Sequence, residues 1–293
     1  MMELPLKNKQ ALITGAAGGL GRALSLQFLS AGADLALLGR NEGALKSLAD
    51  ELLAVASPGQ TVRQFALDLK DPAGLPSALG VVLESVGAPD ILVNNAAVQG
   101  PIGPSWKNDW AAWEEAVRVD LFAPVIICGS FVGDMIRKGS GCIINISGGG
   151  ATGPRPNFSA YGCSKAALVR FSETLSEELK GTGITVNCIA PGALNTRMTQ
   201  DVITAGAGLA GEKEYRQASK LSLEYDEEVL DRAARLAVLL ASPLGEGITG
   251  RLISAAWDPW ERLPELKGEL SSTDIYTLRR IVPKDRGKDW GAT

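Results

Sequence analysis

The sequence predicts an α/β fold: a single doubly wound parallel sheet of about seven strands, with helices on both faces. Two observations predict it. Short apolar runs of strand length alternate, along most of the chain, with stretches whose apolar residues recur at helical spacing. The short runs are almost continuously apolar instead of alternating, the pattern of strands covered on both faces. The bulk composition agrees with a packed chain. Of 293 residues, 45% are hydrophobic and 21% charged, an ordinary balance for a globular domain.

In chain order, strands are expected at 11–14, 35–38, 62–67, 91–93, 143–146, 185–189 and 252–254. Leu20, Leu24, Phe28 and Leu29 show the helical spacing between the first two, and Leu168, Phe171, Leu175 and Leu179 show it before the sixth. Seven such strands fit one open sheet, so one domain is expected over 1–255, followed by an extension at 256–293. The extension holds three of the six tryptophans, Trp257, Trp260 and Trp290. It is expected to pack on the same domain or across an oligomer interface, the interface being favoured. A partial cover over a substrate pocket is the sharper alternative.

Charge and composition exclude several functions. A net charge of −4 supplies no basic field for nucleic acid or an anionic membrane. Unbroken apolar runs such as 124–128 fall far short of the ~20 residues that cross a bilayer. Residues 1–8 lack an apolar signal core, so a cytoplasmic location is expected. The chain has no histidine, which removes Ser-His-Asp hydrolysis, His-ligated zinc and His general-base catalysis. Cys128, Cys142, Cys163 and Cys188 show neither CxxC pairing nor metal-ligand spacing and are expected as buried reduced thiols, with no metal site.

The first strand runs straight into Gly15-Ala16-Ala17-Gly18-Gly19-Leu20-Gly21 and then into a helix. Glycines let a ligand approach the backbone, and the helix start presents unpaired N–H groups suited to a pyrophosphate. Further motifs follow at strand ends: Asn94-Asn95-Ala96-Ala97, Tyr161-Gly162-Cys163-Ser164-Lys165, and Pro191-Gly192 with Asn195-Thr196 beyond it. In this order, over residues 8–255, they resemble the TGxxxGxG and YxxxK pattern of the short-chain dehydrogenase/reductase family. The resemblance implies a Rossmann-type sheet, an NAD(P) cofactor, a small-molecule substrate, and dimers or tetramers. It assigns nucleotide contacts to Gly15, Ala17, Gly18, Gly19, Leu20 and Gly21 in the turn. Asn95, Ala96 and Ala97 follow after the fourth strand, with Val119 on the next helical stretch. Pro191, Gly192, Leu194 and Thr196 complete them after the sixth.

The end of the second strand reads Leu38-Gly39-Arg40-Asn41, with a cation and no carboxylate. An acidic residue there would hold a free ribose 2′-hydroxyl, whereas a basic one suits a 2′-phosphate. Arg40 and Asn41 therefore favour NADP(H) over NAD(H), although Arg40 could equally be a solvated residue at a helix start. Asp68, followed by Leu69, resembles the family aspartate that meets the adenine amino group.

Hydride transfer to a carbonyl needs a proton delivered to its oxygen, and without histidine a phenol is the natural candidate. An unperturbed phenol, with a pKa of about 10, is a weak acid for neutral pH. Lys165 lies one helical turn beyond Tyr161 on the same face, where its cation is expected to favour the phenolate and hold the nicotinamide ribose. Two positions depart from the family. Its serine, about thirteen residues before the tyrosine, falls on Gly148; either Ser147 supplies the hydroxyl through a re-aimed loop, or the hydroxyl is missing. Its asparagine falls on Asp120, which could pair with Lys165.

Loops at 98–109, 149–158 and 194–219 are expected to shape the substrate site, the last as a glycine-containing lid. Arg155 and Arg197 within them could clamp a substrate carboxylate or phosphate, or be ordinary loop residues. The sequence thus reads as a carbonyl reductase or alcohol dehydrogenase. Two alternatives stay open: a catalytically impaired nucleotide-binding regulator or scaffold, and a dehydratase or epimerase that recycles its nicotinamide.

Overall fold

The computed structural model describes residues 4–223 and 227–291. Seven strands form one parallel sheet: β1 (Gln10–Thr14), β2 (Asp34–Gly39), β3 (Val62–Ala66), β4 (Ile91–Asn94), β5 (Gly141–Ile146), β6 (Ile184–Ala190) and β7 (Leu252–Ser254), in the order β3-β2-β1-β4-β5-β6-β7. All seven expected strands are present. β5 starts two residues early because Gly141 and Cys142 extend its pairing with Ile184 and Thr185 of β6. The chain winds outward from β1 and then returns to lay β4 on its other side, which opens a crevice at the carboxyl ends of the strands.

Adjacent residues of a strand enter different cores. Ala11 and Ile13 pack beneath α1 (Gly19–Ser30), α2 (Glu42–Val55) and α9 (Glu227–Ala241), whereas Leu12 faces α3 (Leu75–Val86), α5 (Ala123–Lys138) and α6 (Ser159–Glu178). This is the physical content of the unbroken apolar runs: each buried leucine or isoleucine contributes about 1.5–3 kcal/mol, whichever face it takes.

α4 (Trp110–Val117) continues through a wide π turn (Arg118–Phe122) into α5, so Trp110–Lys138 is one helical run of 29 residues. By length and composition it could cross a bilayer, a possibility hidden from the search for unbroken apolar runs. In the fold it lies against the sheet, with Ile127, Cys128, Phe131 and Met135 buried. Pro124 explains the widened turn. It has no N–H for the carbonyl of Asp120 four residues back, and its ring crowds that carbonyl.

The expected lid loop is instead two helices, α7 (Arg197–Ala210) and α8 (Glu212–Leu223). Gly206 (φ +73°) kinks α7, yet Val202, Ala210 and Ala218 bury against Phe158 and hold the helical pair together. Tertiary packing overrides the low helix propensity of the glycines. Of the four cysteines, Cys163 is exposed rather than buried, because it faces outward from α6.

The extension folds back on its own chain. Trp260, Leu263 and Leu270 of α10 (Lys267–Ser272) and the turn before it join the core beneath α9. The Leu252 N–H donates to the Tyr276 carbonyl (2.8 Å), and Arg251 donates to the carbonyls of Thr273 and Ile275 (2.9 and 2.7 Å). The tail thus seals the free edge of β7, which would otherwise expose unpaired strand groups.

Candidate active site

The crevice is a cleft of about 1100 Å³ that runs from the glycine turn to the α7–α8 pair. At its nucleotide end, β1 and β4 are tied together. Thr14 Oγ1 accepts the N–H groups of Asn95 and Ala96 (both 3.0 Å), and the Asn95 carboxamide donates to the carbonyls of Thr14 (2.9 Å) and Gly15 (3.2 Å). Gly15 holds φ +63°, and a Cβ on it would lie 2.8 Å from Ala96 Cα. A Cβ on Gly21 would lie 2.8 Å from Ala16 Cα, so neither turn position admits a side chain.

α1 begins beyond Gly18 with no side-chain cap, leaving its first N–H groups aimed at the cleft, where a pyrophosphate fits. Across from it, Thr196 caps α7, and the two walls draw close between Gly19 and Thr196. Arg40 is exposed on the cleft wall with no side-chain hydrogen bond or ion pair among the described residues, leaving its guanidinium available for a 2′-phosphate. Asn41 is spent on capping α2 through the Ala44 N–H (2.9 Å), and Arg22 is engaged by Glu51. Asp68 stands exposed on the same wall, its carboxylate accepting only the Lys70 N–H (3.0 Å), with Leu69 buried beside it. Ala17, Leu20, Ala97, Val119, Pro191, Gly192 and Leu194 line the same cleft. An NAD(P)-sized dinucleotide therefore fits the residues present.

At the other end, α6 places Tyr161 and Lys165 on one face, 8% and 1% exposed. Lys165 Nζ donates to the Ile146 carbonyl (2.9 Å) and lies 5.6 Å from the centre of the Tyr161 ring. Behind the lysine, the π turn holds Asp120 with no exposure. Its Oδ1 accepts the Val98 N–H (2.8 Å), and its Oδ2 has no partner. Burial pushes this carboxyl up to about 6, against the pull of Lys165 and the Val98 N–H. Burial pushes Lys165 down, opposed by Asp120. The Tyr161 phenol moves above its ordinary range, first through burial and then through the Asp120 charge, with Arg155 the one cation opposing. Burial is thus the largest influence on Tyr161, while the Lys165 ammonium is turned to the Ile146 carbonyl.

Gly148 meets the phenol directly. A Cβ there would lie 2.9 Å from Tyr161 Cζ and closer still to its hydroxyl. Ser147, the alternative donor, sits one position earlier on the strand end. Its N–H continues the strand pairing to Ile189 (2.8 Å), which sends neighbouring side chains to opposite faces, and its hydroxyl is buried with no hydrogen bond. Ser147 nevertheless lines the same cleft, its hydroxyl without a hydrogen-bond partner among the described residues.

Arg155, a candidate clamp, has a partner on a distant element. Arg155 stacks on Phe158 (3.9 Å to the ring centre) and pairs with Glu214 of α8 through Nε (3.0 Å) and Nη2 (2.7 Å). The arginine was a visible candidate, but its partner lies 59 residues away. Arg197 is exposed at the cleft rim, and Trp257 of the extension also reaches the lining.

Residues 9–206 match the family model for short chain dehydrogenases. The chain is 31% identical over 268 residues to a short chain dehydrogenase of Pseudocercospora fijiensis, covering 90% of this chain and 85% of that protein. It is 33% identical over 226 residues to sulfoacetaldehyde reductase 2 of Chromohalobacter salexigens, covering 77% and 88% respectively. Among solved structures, the Pseudomonas aeruginosa RhlG/NADP active-site complex matches with a TM-score of 0.73 at 26% identity, over 87% of this chain and 97% of that one. With the parallel sheet, the glycine turn and the buried Tyr161–Lys165 pair, these matches show that the chain belongs to the short-chain dehydrogenase/reductase family of nicotinamide-dependent oxidoreductases.

Proposed function

We propose that the protein is an NADP(H)-dependent oxidoreductase acting on the carbonyl or secondary alcohol of a small polar substrate, with Tyr161 as the proton-transfer residue. The observation that carries this reading is the buried Tyr161–Lys165 pair on the floor of a cleft whose far end presents an exposed Arg40. Arg40 suits the additional phosphate of NADP(H), and the RhlG complex is itself an NADP complex. The bound nicotinamide supplies or accepts the hydride.

Tyr161 holds its proton at neutral pH, since burial and Asp120 both disfavour the phenolate. A neutral phenol is suited to donate a proton to a carbonyl oxygen. Lys165 is fixed by the Ile146 carbonyl and sits where it would hold the nicotinamide ribose. Asp120 supplies negative charge that opposes the burial penalty on this ammonium. A sulfoacetaldehyde reductase among the relatives is consistent with a short polar aldehyde as substrate. The reading also places the protein in the cytoplasm as a homodimer or homotetramer.

Gly148 favours a second reading, a member of the family that binds the nucleotide with little turnover. Substitution Tyr161→Phe separates the two. It is expected to cut NADPH oxidation at least ~10²-fold while NADPH affinity stays within a few-fold. Undiminished turnover in Tyr161→Phe would end the phenol mechanism. Tight NADPH binding by the unmodified protein, with no carbonyl in a broad panel reduced, would favour the second reading.

A further inference from the structure

The guanidinium of Arg155 is more constrained than an ordinary loop arginine. Its plane lies on Phe158, 3.9 Å from the ring centre, and its carbon is 5.9 Å from the centre of the Tyr161 ring. Glu214 takes the side edge, a single oxygen accepting from both Nε and Nη2. Among the described residues only Nε and Nη2 have an acceptor, and the side chain runs alongside Gly149, next to the bare backbone of Gly148 that faces the phenol. Stacking and the side-edge pair fix the plane, while the end fork formed by Nη1 and Nη2 is left open beside the proton donor. An end fork of this kind matches the two oxygens of a carboxylate or the oxygens of a sulfonate.

We infer that Arg155 is the substrate's anion receptor, and that the enzyme acts on short carbonyl or hydroxy compounds carrying a carboxylate-like group only a few bonds from the reacting carbon. Glu214 is a positioning residue: it orients the fork without occupying it, so an anion binds without breaking the pair. The closeness of the fork to Tyr161 sets the short spacing. The inference rests on the reading of Tyr161 as the group that meets the reacting oxygen.

The test uses the full chain loaded with NADP⁺ and calorimetric titration with oxamate, 3-hydroxypropanoate and 4-hydroxybutanoate, each against its primary amide. At least one acid is expected to bind saturably and more tightly than its amide. Arg155→Gln should weaken that acid about 10- to 100-fold and leave the amide within a few-fold. Arg155→Lys should recover only part of the loss, because the charge returns without the fork. Glu214→Gln should weaken the acid by a smaller factor. The acid-over-amide ratio reads the receptor itself, and NADP⁺ affinity reports whether a variant remains folded. Binding by none of the acids, or equal losses for acid and amide in Arg155→Gln, would overturn the inference; equal losses would place the arginine on the reacting oxygen. Separate NADPH assays with the corresponding 2-oxo acids, semialdehydes and their methyl esters keep the two readings apart. No reduction of either class, with anion binding intact, would sink the oxidoreductase mechanism and leave the receptor standing.

Discussion

Replacing Asp120 by Asn tests the electrostatics of the site on a quantity that requires no substrate. The Asp120 carboxyl moves from an ordinary 3.8 to about 6 in the folded chain, chiefly through burial. Because the folded value lies above the unfolded one, the folded state is penalised wherever this group has to ionise. The penalty is absent well below pH 4, grows between pH 4 and 6, and is complete above 6. At ~1.36 kcal/mol per pH unit it reaches about 3 kcal/mol at pH 8, against about 1 kcal/mol at pH 4.5. An Asn side chain escapes this penalty. Its stability relative to Asp should therefore rise by about 2 kcal/mol between pH 4.5 and pH 8, whatever constant offset the amide adds. Lys165 acts in the same direction. Without its carboxylate partner, the buried ammonium is harder to keep, a cost that falls as pH rises. Urea denaturation of both proteins across this range measures the difference directly. A difference that stays flat with pH, or that shrinks as pH rises, would refute a buried carboxylate held near 6.

Three other outcomes follow from particular contacts. Gly148→Ala places a methyl group against the Tyr161 ring and hydroxyl; overpacking should cost about 1–3 kcal/mol in urea unfolding, and displacement of the phenol about 10²-fold in kcat. Normal stability and normal kcat together would show that the phenol lies elsewhere. Arg40→Ala should raise the Kd for NADPH tenfold or more in fluorescence titration and leave NADH almost unchanged, and a parallel loss for both would count against a 2′-phosphate contact. Trp260→Ala should lose about 3–5 kcal/mol by urea denaturation, because the ring is 5% exposed and its Nε1 donates to the Ala255 carbonyl (3.2 Å). A loss below 1 kcal/mol would mean that the extension contributes little to the core.

The sheet was legible because most of its strands, buried on both faces, are short apolar runs that alternate with stretches of helical spacing; runs such as 124–128 and 236–241 share the pattern but sit in helices. The glycine turn was legible because Gly15 and Gly21 answer to local backbone geometry. The lid helices were hidden because Gly206, Gly208 and Gly211 argue locally for a loop, whereas Phe158, far earlier in the chain, supplies the surface that makes them helical. What the sequence does not show in the long helix through Asp120 is the π turn, by which the helix passes Pro124 without breaking. The location of Asp120 could be read from position, but its full burial and orphaned oxygen could not. In the tail, Trp260 is buried in the core of its own chain while Trp257 and Trp290 remain exposed, a division that aromatic composition alone does not reveal.

The departures at 120 and 148 and the arginine at 155 bear on one phenol, and their effects are coupled. A glycine at 148 removes a hydroxyl and lets the Tyr161 oxygen lie against backbone, deeper than a side chain there would allow. Greater depth raises the cost of the phenolate, and Asp120 raises it again. Left alone, these two changes would give an acid that releases its proton with difficulty. Arg155 opposes both, since its charge favours the phenolate from the cleft side. The Asp120 push depends on its being ionised, which near a value of about 6 changes within the physiological range, while the Arg155 pull does not change. Protonating Asp120 therefore makes Tyr161 more acidic and removes the countercharge of Lys165 at the same time. The carboxyl behind the lysine and the guanidinium before the phenol act on one proton from opposite sides, and substitution of either should change the pH at which the other matters.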